Sequence, residues 1–180
     1  MRINPETVNL KGHELLIRNA EEDDAQMLLE YLKTTAGETR FLLKEPEEIQ
    51  FTLEGEKGFI ADQNASERNM MILGFLDGRH VGNCSLMGNQ WLRYRHRASV
   101  AIALYQEYTG LGIGTAMLQK IIDVAKAQGL EQLELEVVAD NERALALYRK
   151  LGFEVCGTMP RNMKYKDGTY ADMLFMVRRL

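Results

Sequence analysis

The spacing of apolar residues along the chain alternates between patterns typical of strands and of helices. The run Glu14–Ala20 predicts a first strand, and Glu21–Thr35 predicts a helix whose acidic first turn suits the positive end of the helix dipole. A second helix is predicted within Glu45–Gln63, because Pro46 is typical of a first helical turn. The chain is therefore expected to begin with one strand and two helices.

A hairpin and a strand–helix–strand unit follow. Two β-rich runs within Asn69–Gly88 flank Asp77-Gly78, a dipeptide that favours a two-residue hairpin turn. The other predicted elements are a strand at Arg97–Leu104, a helix that begins at Ile113 and ends at Gly129, a strand at Leu133–Val138, a helix at Asn141–Leu151, and closing strands at Phe153–Met159 and Tyr170–Leu180. Hairpins imply antiparallel pairing, and the strand–helix–strand unit implies one parallel pair. We therefore predict a mixed α/β fold with a central, mostly antiparallel sheet and helices on both faces.

Length and composition are typical of a single domain spanning residues 1–180. Of the 180 residues, 46% are hydrophobic and 27% are charged, and the net charge of −4 gives no reason to expect a nucleic-acid partner. The basic stretch Arg93–Arg97 is interpreted as a solvated loop. Since no apolar run approaches the roughly 20 residues of a membrane span, no membrane partner is expected.

The cysteines favour a reducing, cytoplasmic compartment, and the histidines do not predict a metal site. Cys84 and Cys156 lie far apart and outside any CxxC motif, so both are interpreted as small core or half-buried residues. Lone thiols and an N-terminus without a signal-peptide pattern predict a cytoplasmic location. The three histidines lack metal-ligand spacing, so no metal is expected.

Glycines occupy alternate positions, Gly110, Gly112 and Gly114, where a predicted strand becomes a helix. The first N–H groups of a helix lack internal partners and carry partial positive charge, and glycine lets a phosphate approach the backbone. We interpret this segment as a phosphate site, although a tight strand-to-helix turn also explains part of the pattern. No Gly-Lys-Ser/Thr follows, which excludes a P-loop. Thr115 and Met117 stand where a dinucleotide fingerprint needs its third glycine, which argues against a dinucleotide-dependent enzyme.

A second block, "VVADNERALALYRKLGFE", follows the strand after the glycines. Together with "TGLGIG" at Thr109–Gly114, it resembles the GCN5-related N-acetyltransferase (GNAT) superfamily, whose second motif is matched at Asn141, Ala144, Leu147, Tyr148, Lys150, Gly152 and Phe153. Thr109 departs from the Gln or Arg that usually opens the pyrophosphate motif. The tail at 157–176 resembles the bacterial branch that acetylates amino groups of amino acids, small amines or peptide N-termini.

The resemblance implies an N-acetyltransferase with acetyl-CoA as co-substrate and a primary amine as acceptor. Backbone N–H groups of the glycine turn would cradle the pyrophosphate, the end of the preceding strand would pair with the pantetheine arm, and Asn141 would contact that arm. The implied cofactor-binding residues are Ile102, Leu104, Thr109, Gly110, Leu111, Gly112, Ile113, Gly114, Thr115, Asn141 and Tyr148. Asn141 is also a good helix N-cap, and the two roles can coexist.

Acetyl transfer also needs an oxyanion donor and an acid. The resemblance implies the strand backbone around Leu104 as oxyanion donor and Tyr148 as the acid that protonates the leaving thiolate. A tyrosine on an apolar helix stripe can equally be a core residue. The amine is expected to attack the thioester directly, because no covalent enzyme intermediate is required, and a covalent route through Cys84 or Cys156 is the alternative.

The general base is less well defined by the sequence. Ser99 stands where many relatives carry a glutamate, and a serine cannot serve as that base. Glu136 is the preferred candidate, with His96 and water as alternatives, although Glu134 and Glu136 also suit the solvated face of an alternating strand.

The acceptor pocket is expected to come from the first two helices and the final hairpin. The acidic residues nearby, Glu38, Glu45, Glu47 and Glu48, are interpreted as a solvated face rather than as an attractor of cationic amines. Thr109 and the missing strand glutamate keep a second function open, a degenerate CoA-binding GNAT module with a regulatory role. The oligomeric state is also left open, a homodimer included.

Overall fold

The computed structural model describes residues 1–180 as eight strands and four α-helices. The strands are β1 (Glu6–Leu10), β2 (His13–Asn19), β3 (Asn69–Leu76), β4 (Arg79–Gly88), β5 (Arg97–Leu104), β6 (Gln132–Val138), β7 (Glu154–Lys164) and β8 (Tyr170–Arg179). The helices are α1 (Ala25–Glu38), α2 (Leu53–Ala65), α3 (Ile113–Ala127) and α4 (Glu142–Lys150). Short 3-10 turns occupy Glu22–Asp24, Pro46–Glu48, Leu92–Tyr94 and Gln106–Tyr108. None of the four helices combines the length and apolar character needed to cross a bilayer.

The strands form one mixed sheet in the order β1-β2-β3-β4-β5-β6-β8-β7. The pairs β1–β2, β2–β3, β3–β4, β6–β8 and β7–β8 are antiparallel, whereas β5 and β6 pair in parallel. The predicted fold class is therefore confirmed, including the single parallel crossover. The predicted Asp77-Gly78 turn is also present, with φ of 48° and 81° at its two residues.

The N-terminal strand β1 was not predicted. It pairs with β2 through a turn at Lys11 and Gly12, whose φ values are 54° and 94°. Only Val8 and Leu10 are apolar in this strand, and most of its residues are exposed. An edge strand with so little burial has no strong alternation to reveal it.

The second helix begins later than Pro46. Pro46 opens a separate 3-10 turn, and α2 begins only at Leu53, after Thr52, whose hydroxyl accepts a hydrogen bond from the Gly55 N–H at 3.1 Å. Pro46 was thus correctly read as a first-turn residue, but the helix it starts is a single turn. Thr52 is the true N-cap of α2.

The chain packs as two compact units, and the first comprises residues 1–87 and 101–121. Its buried cluster combines α1, α2 and β3, and consists of Ala20, Ala25, Leu28, Tyr31, Ile60, Met71 and Leu73. A Cβ at Gly74, the next residue on β3, would lie 2.7 Å from the sulfur of Met117 in α3. Since successive strand residues point to opposite faces, α1 and α2 cover one face of β3 and α3 covers the other.

The second unit comprises residues 88–100 and 122–180. On β6 the predicted alternation is present, with Leu133, Leu135 and Val137 buried and Glu136 exposed. On α4 the buried residues are Leu145 and Tyr148, which lie three positions apart and so share one face of the helix. These two elements carry the remaining candidate site residues.

Candidate functional site

The chain passes from β5 into α3 through a 3-10 turn and two left-handed glycines. Gly110 has a φ of 81° and Gly112 a φ of 93°, which residues with a Cβ rarely adopt. A Cβ added at either position would meet nothing within 4 Å. Backbone conformation therefore requires both glycines, and the space beside them is open. Gly114 is buried in the first turn of α3.

The first N–H groups of α3 lie directly after these glycines. The Ala116 N–H donates to the Gly112 carbonyl at 3.1 Å and begins the intrahelical series. The N–H groups of Ile113, Gly114 and Thr115 precede that bond, as at every helix start. A turn of this kind concentrates partial positive charge and can hold a phosphate.

Thr109 stands where the family motif usually has Gln or Arg, and it stabilises the 3-10 turn at Gln106–Tyr108. Its hydroxyl donates to the Gln106 carbonyl at 2.7 Å, and its N–H donates to the same oxygen at 3.2 Å. The side chain of Thr109 therefore closes the 3-10 turn that precedes the glycines.

The end of β5 is held by other parts of the first unit. Parallel pairing with β6 covers only Arg97–Ser99, although β5 continues to Leu104. Beyond the strand, the Tyr105 N–H donates to the Val81 carbonyl at 3.1 Å. The proposed pantetheine-pairing residues, Ile102 and Leu104, are half-buried on this segment.

An aromatic cluster that no sequence pattern predicts lies beside the end of β5. The Tyr31 hydroxyl donates to the Ala103 carbonyl at 2.8 Å, and its ring meets those of His80 and Tyr105 edge-on at centroid distances of 5.0 and 5.1 Å. Neither ring nitrogen of His80 has a hydrogen-bond partner, and burial lowers the pKa of His80 to about 4, so this imidazole is neutral at pH 7. These residues come from three distant segments, so no local motif could have indicated the cluster.

Asn141 is the N-cap of α4, which confirms one of the two roles expected for it. Its side-chain oxygen accepts a hydrogen bond from the Ala144 N–H at 3.2 Å, and its own N–H donates to the Val138 carbonyl at 2.9 Å. The cap uses only the oxygen of the side-chain amide. Its NH₂ group is the part that a contact with a bound molecule would use.

Tyr148 is a buried residue of α4. It is 7% exposed, and its ring meets that of Phe153 edge-on at a centroid distance of 5.9 Å. The ring is therefore part of the core of the second unit. A packing role for the ring leaves open a separate role for the hydroxyl.

Ser99 carries no carboxylate, but the carboxylate of Glu134 lies beside its hydroxyl. The Glu134 carboxylate accepts from Arg97 at 2.7 Å and from the Ser99 hydroxyl at 3.3 Å. Glu136 is exposed, two residues further along β6. His96 is also exposed, and its carbonyl accepts from the N–H groups of Glu131 and Gln132. Of the two carboxylates on β6, Glu134 is thus paired with the Arg97 guanidinium, and Glu136 faces solvent.

The acidic residues around α1 do more than face solvent. The Glu38 carboxylate accepts from the Gln106 N–H at 2.9 Å, and Glu48 accepts from the Glu45 N–H at 2.8 Å to close the turn at Pro46. Glu47 and Glu48 are exposed, as a solvated face requires, whereas Glu38 and Glu45 are half-buried, and the Glu38 carboxylate fixes the backbone at Gln106.

The two cysteines differ in environment. Cys84 is fully buried, and burial raises the pKa of its thiol, which disfavours the reactive thiolate. Cys156 is exposed, and its thiol donates to the Phe175 carbonyl at 3.4 Å. The expected core or half-buried position is confirmed for Cys84 and wrong for Cys156.

The candidate residues fall into two groups. The strand end at 102–104 and the turn at 109–115 belong to the first unit, while Glu136, Asn141 and Tyr148 belong to the second. Within the second unit, α4 carries Tyr148 and begins directly after its cap, Asn141.

Residues 25–153 match the Acetyltransferase (GNAT) family. An N-alpha-acetyltransferase of Sulfurisphaera tokodaii is 30% identical over 145 residues, covering 80% of this chain and 83% of that protein. The L-methionine sulfoximine/L-methionine sulfone acetyltransferase of Pseudomonas aeruginosa is 32% identical over 83 residues, covering 46% of this chain and 48% of that protein. The match thus spans about half the length of this second relative.

Solved structures show the same fold. An acetyltransferase of the GNAT family from Streptococcus pneumoniae has a TM-score of 0.88 and 31% sequence identity, covering 92% of this chain and 99% of that one. The yncA protein of Salmonella typhimurium, solved with its cofactor acetyl-CoA, has a TM-score of 0.80 at 19% identity, covering 92% of this chain and 94% of that one. At that identity the second likeness shows the fold alone.

Proposed function

Because this chain belongs to the GNAT acetyltransferase family, we propose that it is an N-acetyltransferase that moves the acetyl group of acetyl-CoA to a primary amine. The observation that carries the proposal is the turn between β5 and α3. Two left-handed glycines with open space beside them lead into a helix start, and the family match spans this turn together with the block at Asn141–Phe153. A pyrophosphate is the kind of group that such a backbone holds.

The reaction would proceed by direct attack. The amine nitrogen bonds to the thioester carbonyl carbon, the carbon–sulfur bond breaks, the sulfur gains a proton and the amine loses one. We assign the backbone N–H of Leu104 to the oxyanion of the tetrahedral intermediate and the Tyr148 hydroxyl to the departing sulfur. Because the Glu134 carboxylate is already paired with Arg97 while Glu136 is exposed, we assign proton removal to Glu136, with His96 and water as the alternatives.

The acceptor class is proposed from the relatives and the chain's tail. One relative is named for L-methionine sulfoximine and sulfone, and another is an N-alpha-acetyltransferase. We propose a free amino acid, a small amine or a peptide N-terminus as acceptor. The free thiol at Cys156 suits the cytoplasmic location that we also propose.

The test is an acetylation screen with purified protein. Release of CoA from acetyl-CoA is followed with panels of free amino acids, polyamines, aminoglycosides and N-terminal peptides, and the acetylated product is identified by mass spectrometry. Acetyl-CoA should also raise the melting temperature, by mass action on the folded state, whereas NADH and ATP should do so much less. Binding of acetyl-CoA without turnover of any amine would favour a regulatory module, and a larger stabilisation by NADH would exclude the proposal.

A further inference from the structure

Two side chains of α1 hold the end of β5. The Tyr31 hydroxyl donates to the Ala103 carbonyl at 2.8 Å, and the Glu38 carboxylate accepts from the Gln106 N–H at 2.9 Å. Tyr31 and Glu38 lie about two helical turns apart, so they share one face of α1. The helix therefore fixes the backbone on both sides of Leu104.

The bond from Tyr31 falls on one particular peptide group. The carbonyl of Ala103 and the N–H of Leu104 belong to the same peptide unit, and the chain contains no cis peptide bond. In a trans peptide, the carbonyl and the N–H point in opposite directions. A hydrogen bond accepted by the carbonyl polarises the unit and makes its N–H a stronger donor on the other side.

We propose that Tyr31 is a positioning residue for acetyl transfer, because its hydroxyl orients and polarises the peptide whose N–H, on Leu104, binds the oxyanion. This inference rests on the proposed function, since it assigns a partner to the oxyanion donor of that reaction. Tyr31 would contact neither the acetyl group nor the amine and would act through the Ala103–Leu104 peptide.

The surroundings of Tyr31 suit this role. The side chain is 2% exposed, and edge-on contacts with His80 and Tyr105 fix the orientation of its ring. Burial raises the pKa of the Tyr31 phenol, so it keeps the proton that it donates.

Gly82 supplies the room for this arrangement. A Cβ at position 82 would lie 2.4 Å from the Ala103 carbonyl oxygen, the same atom that accepts from Tyr31. The φ of Gly82 is 152°, a conformation that other residues rarely adopt. The acceptor atom of the Tyr31 bond thus lies in a space that only glycine leaves open.

The test compares Tyr31→Phe with a matched control, Thr35→Val. Both variants remove one buried hydroxyl from α1, but the Thr35 hydroxyl donates within the helix, to the Tyr31 carbonyl at 2.8 Å, and does not reach β5. The spectroscopic readout is the infrared band of the thioester carbonyl in bound acetyl-CoA labelled with ¹³C at that carbon. This band moves to lower frequency when the carbonyl accepts a hydrogen bond, and its measurement needs no amine acceptor.

We expect Tyr31→Phe to bind acetyl-CoA within about twofold of wild type, because the pyrophosphate contacts remain. Its thioester band should shift back toward that of free acetyl-CoA, and kcat should fall about 10-fold while KM for the amine barely changes. Thr35→Val should keep both the wild-type band and the wild-type kcat. Should Tyr31→Phe not fold, 4-aminophenylalanine in place of Tyr31 keeps a weaker donor and should give an intermediate band.

An unchanged band and kcat in Tyr31→Phe would overturn the inference and leave the proposed function standing. Equal losses in Tyr31→Phe and Thr35→Val would also overturn it, since general loosening of α1 would then explain both. Failure of the wild-type protein to bind acetyl-CoA would overturn the proposed function first, and this inference with it.

Discussion

Ser99 and Glu134 lie opposite each other in the parallel register of β5 and β6, and the serine hydroxyl donates to the carboxylate at 3.3 Å. The position of the usual strand glutamate is thus occupied by a serine that has a carboxylate beside it. Since Arg97 also binds that carboxylate, at 2.7 Å, both oxygens of Glu134 are engaged within the sheet, one by the guanidinium and one by the serine.

Glu136→Gln should lower the rate of acetylation at neutral pH by about 10²-fold, the contribution typical of a general base. The loss should shrink as pH rises, because more of the amine is then already neutral. Glu134→Gln is the matched control on the same strand and should leave the pH profile of acetylation unchanged. A loss of less than about threefold in Glu136→Gln would assign proton removal to His96 or to water.

Gly112→Val should abolish tight binding of acetyl-CoA, measured by calorimetric titration, because the left-handed turn that presents the first N–H groups of α3 would be distorted. The matched control is Gly129→Val, since Gly129 has a φ of 72° and equally open space at the other end of the same helix. Both variants should lose about 1–2 kcal/mol of folding free energy from the strained conformation. Unchanged affinity in folded Gly112→Val protein would remove the phosphate role of the turn.

Asn141 offers a way to separate its two roles. Asn141→Ala should lose about 1 kcal/mol of stability with the cap of α4. Asn141→Asp keeps the acceptor oxygen that binds the Ala144 N–H but lacks the NH₂ group, so stability should return while affinity for acetyl-CoA stays low. Recovery of both properties in Asn141→Asp, measured by urea unfolding and titration, would show that capping is the whole role.

Local patterns predicted the parts of the molecule that depend on neighbours in sequence. The start of α3 at Ile113, the cap at Asn141 and the turn at Asp77-Gly78 each follow from a few adjacent residues, and all three are present. The contact between Tyr31 and Ala103 joins residues far apart in the chain, and no periodicity encodes it. The edge strand β1 was missed for a different reason, because it buries too little apolar surface to show a pattern.

Tyr148→Phe should reduce the single-turnover rate by about 10- to 10³-fold, the range for losing an acid or a charge-stabilising donor. Its affinity for acetyl-CoA should stay near that of wild type, because the hydroxyl is needed mainly in the transition state. The ring keeps its contact with Phe153, so the fold should survive. The control is Tyr94→Phe, which removes a phenol from an exposed residue of the 3-10 turn at Leu92–Tyr94. Equal single-turnover rates for Tyr148→Phe and wild type would assign Tyr148 to the core alone, with a cost of at most about 1 kcal/mol in stability.

Direct transfer of an acetyl group from acetyl-CoA to an amine can be followed by tracking that group through one turnover. Wild-type protein is mixed with an acceptor from the amine screen and with acetyl-CoA that carries a ¹³C-labelled acetyl group, and the reaction is quenched at successive times. The masses of the amine and of the intact protein are then measured by mass spectrometry. We expect the label to appear on the amine nitrogen while the mass of the protein stays unchanged throughout. A labelled acetyl-protein that forms first, as at the exposed thiol of Cys156, and then passes its acetyl group to the amine would contradict direct transfer.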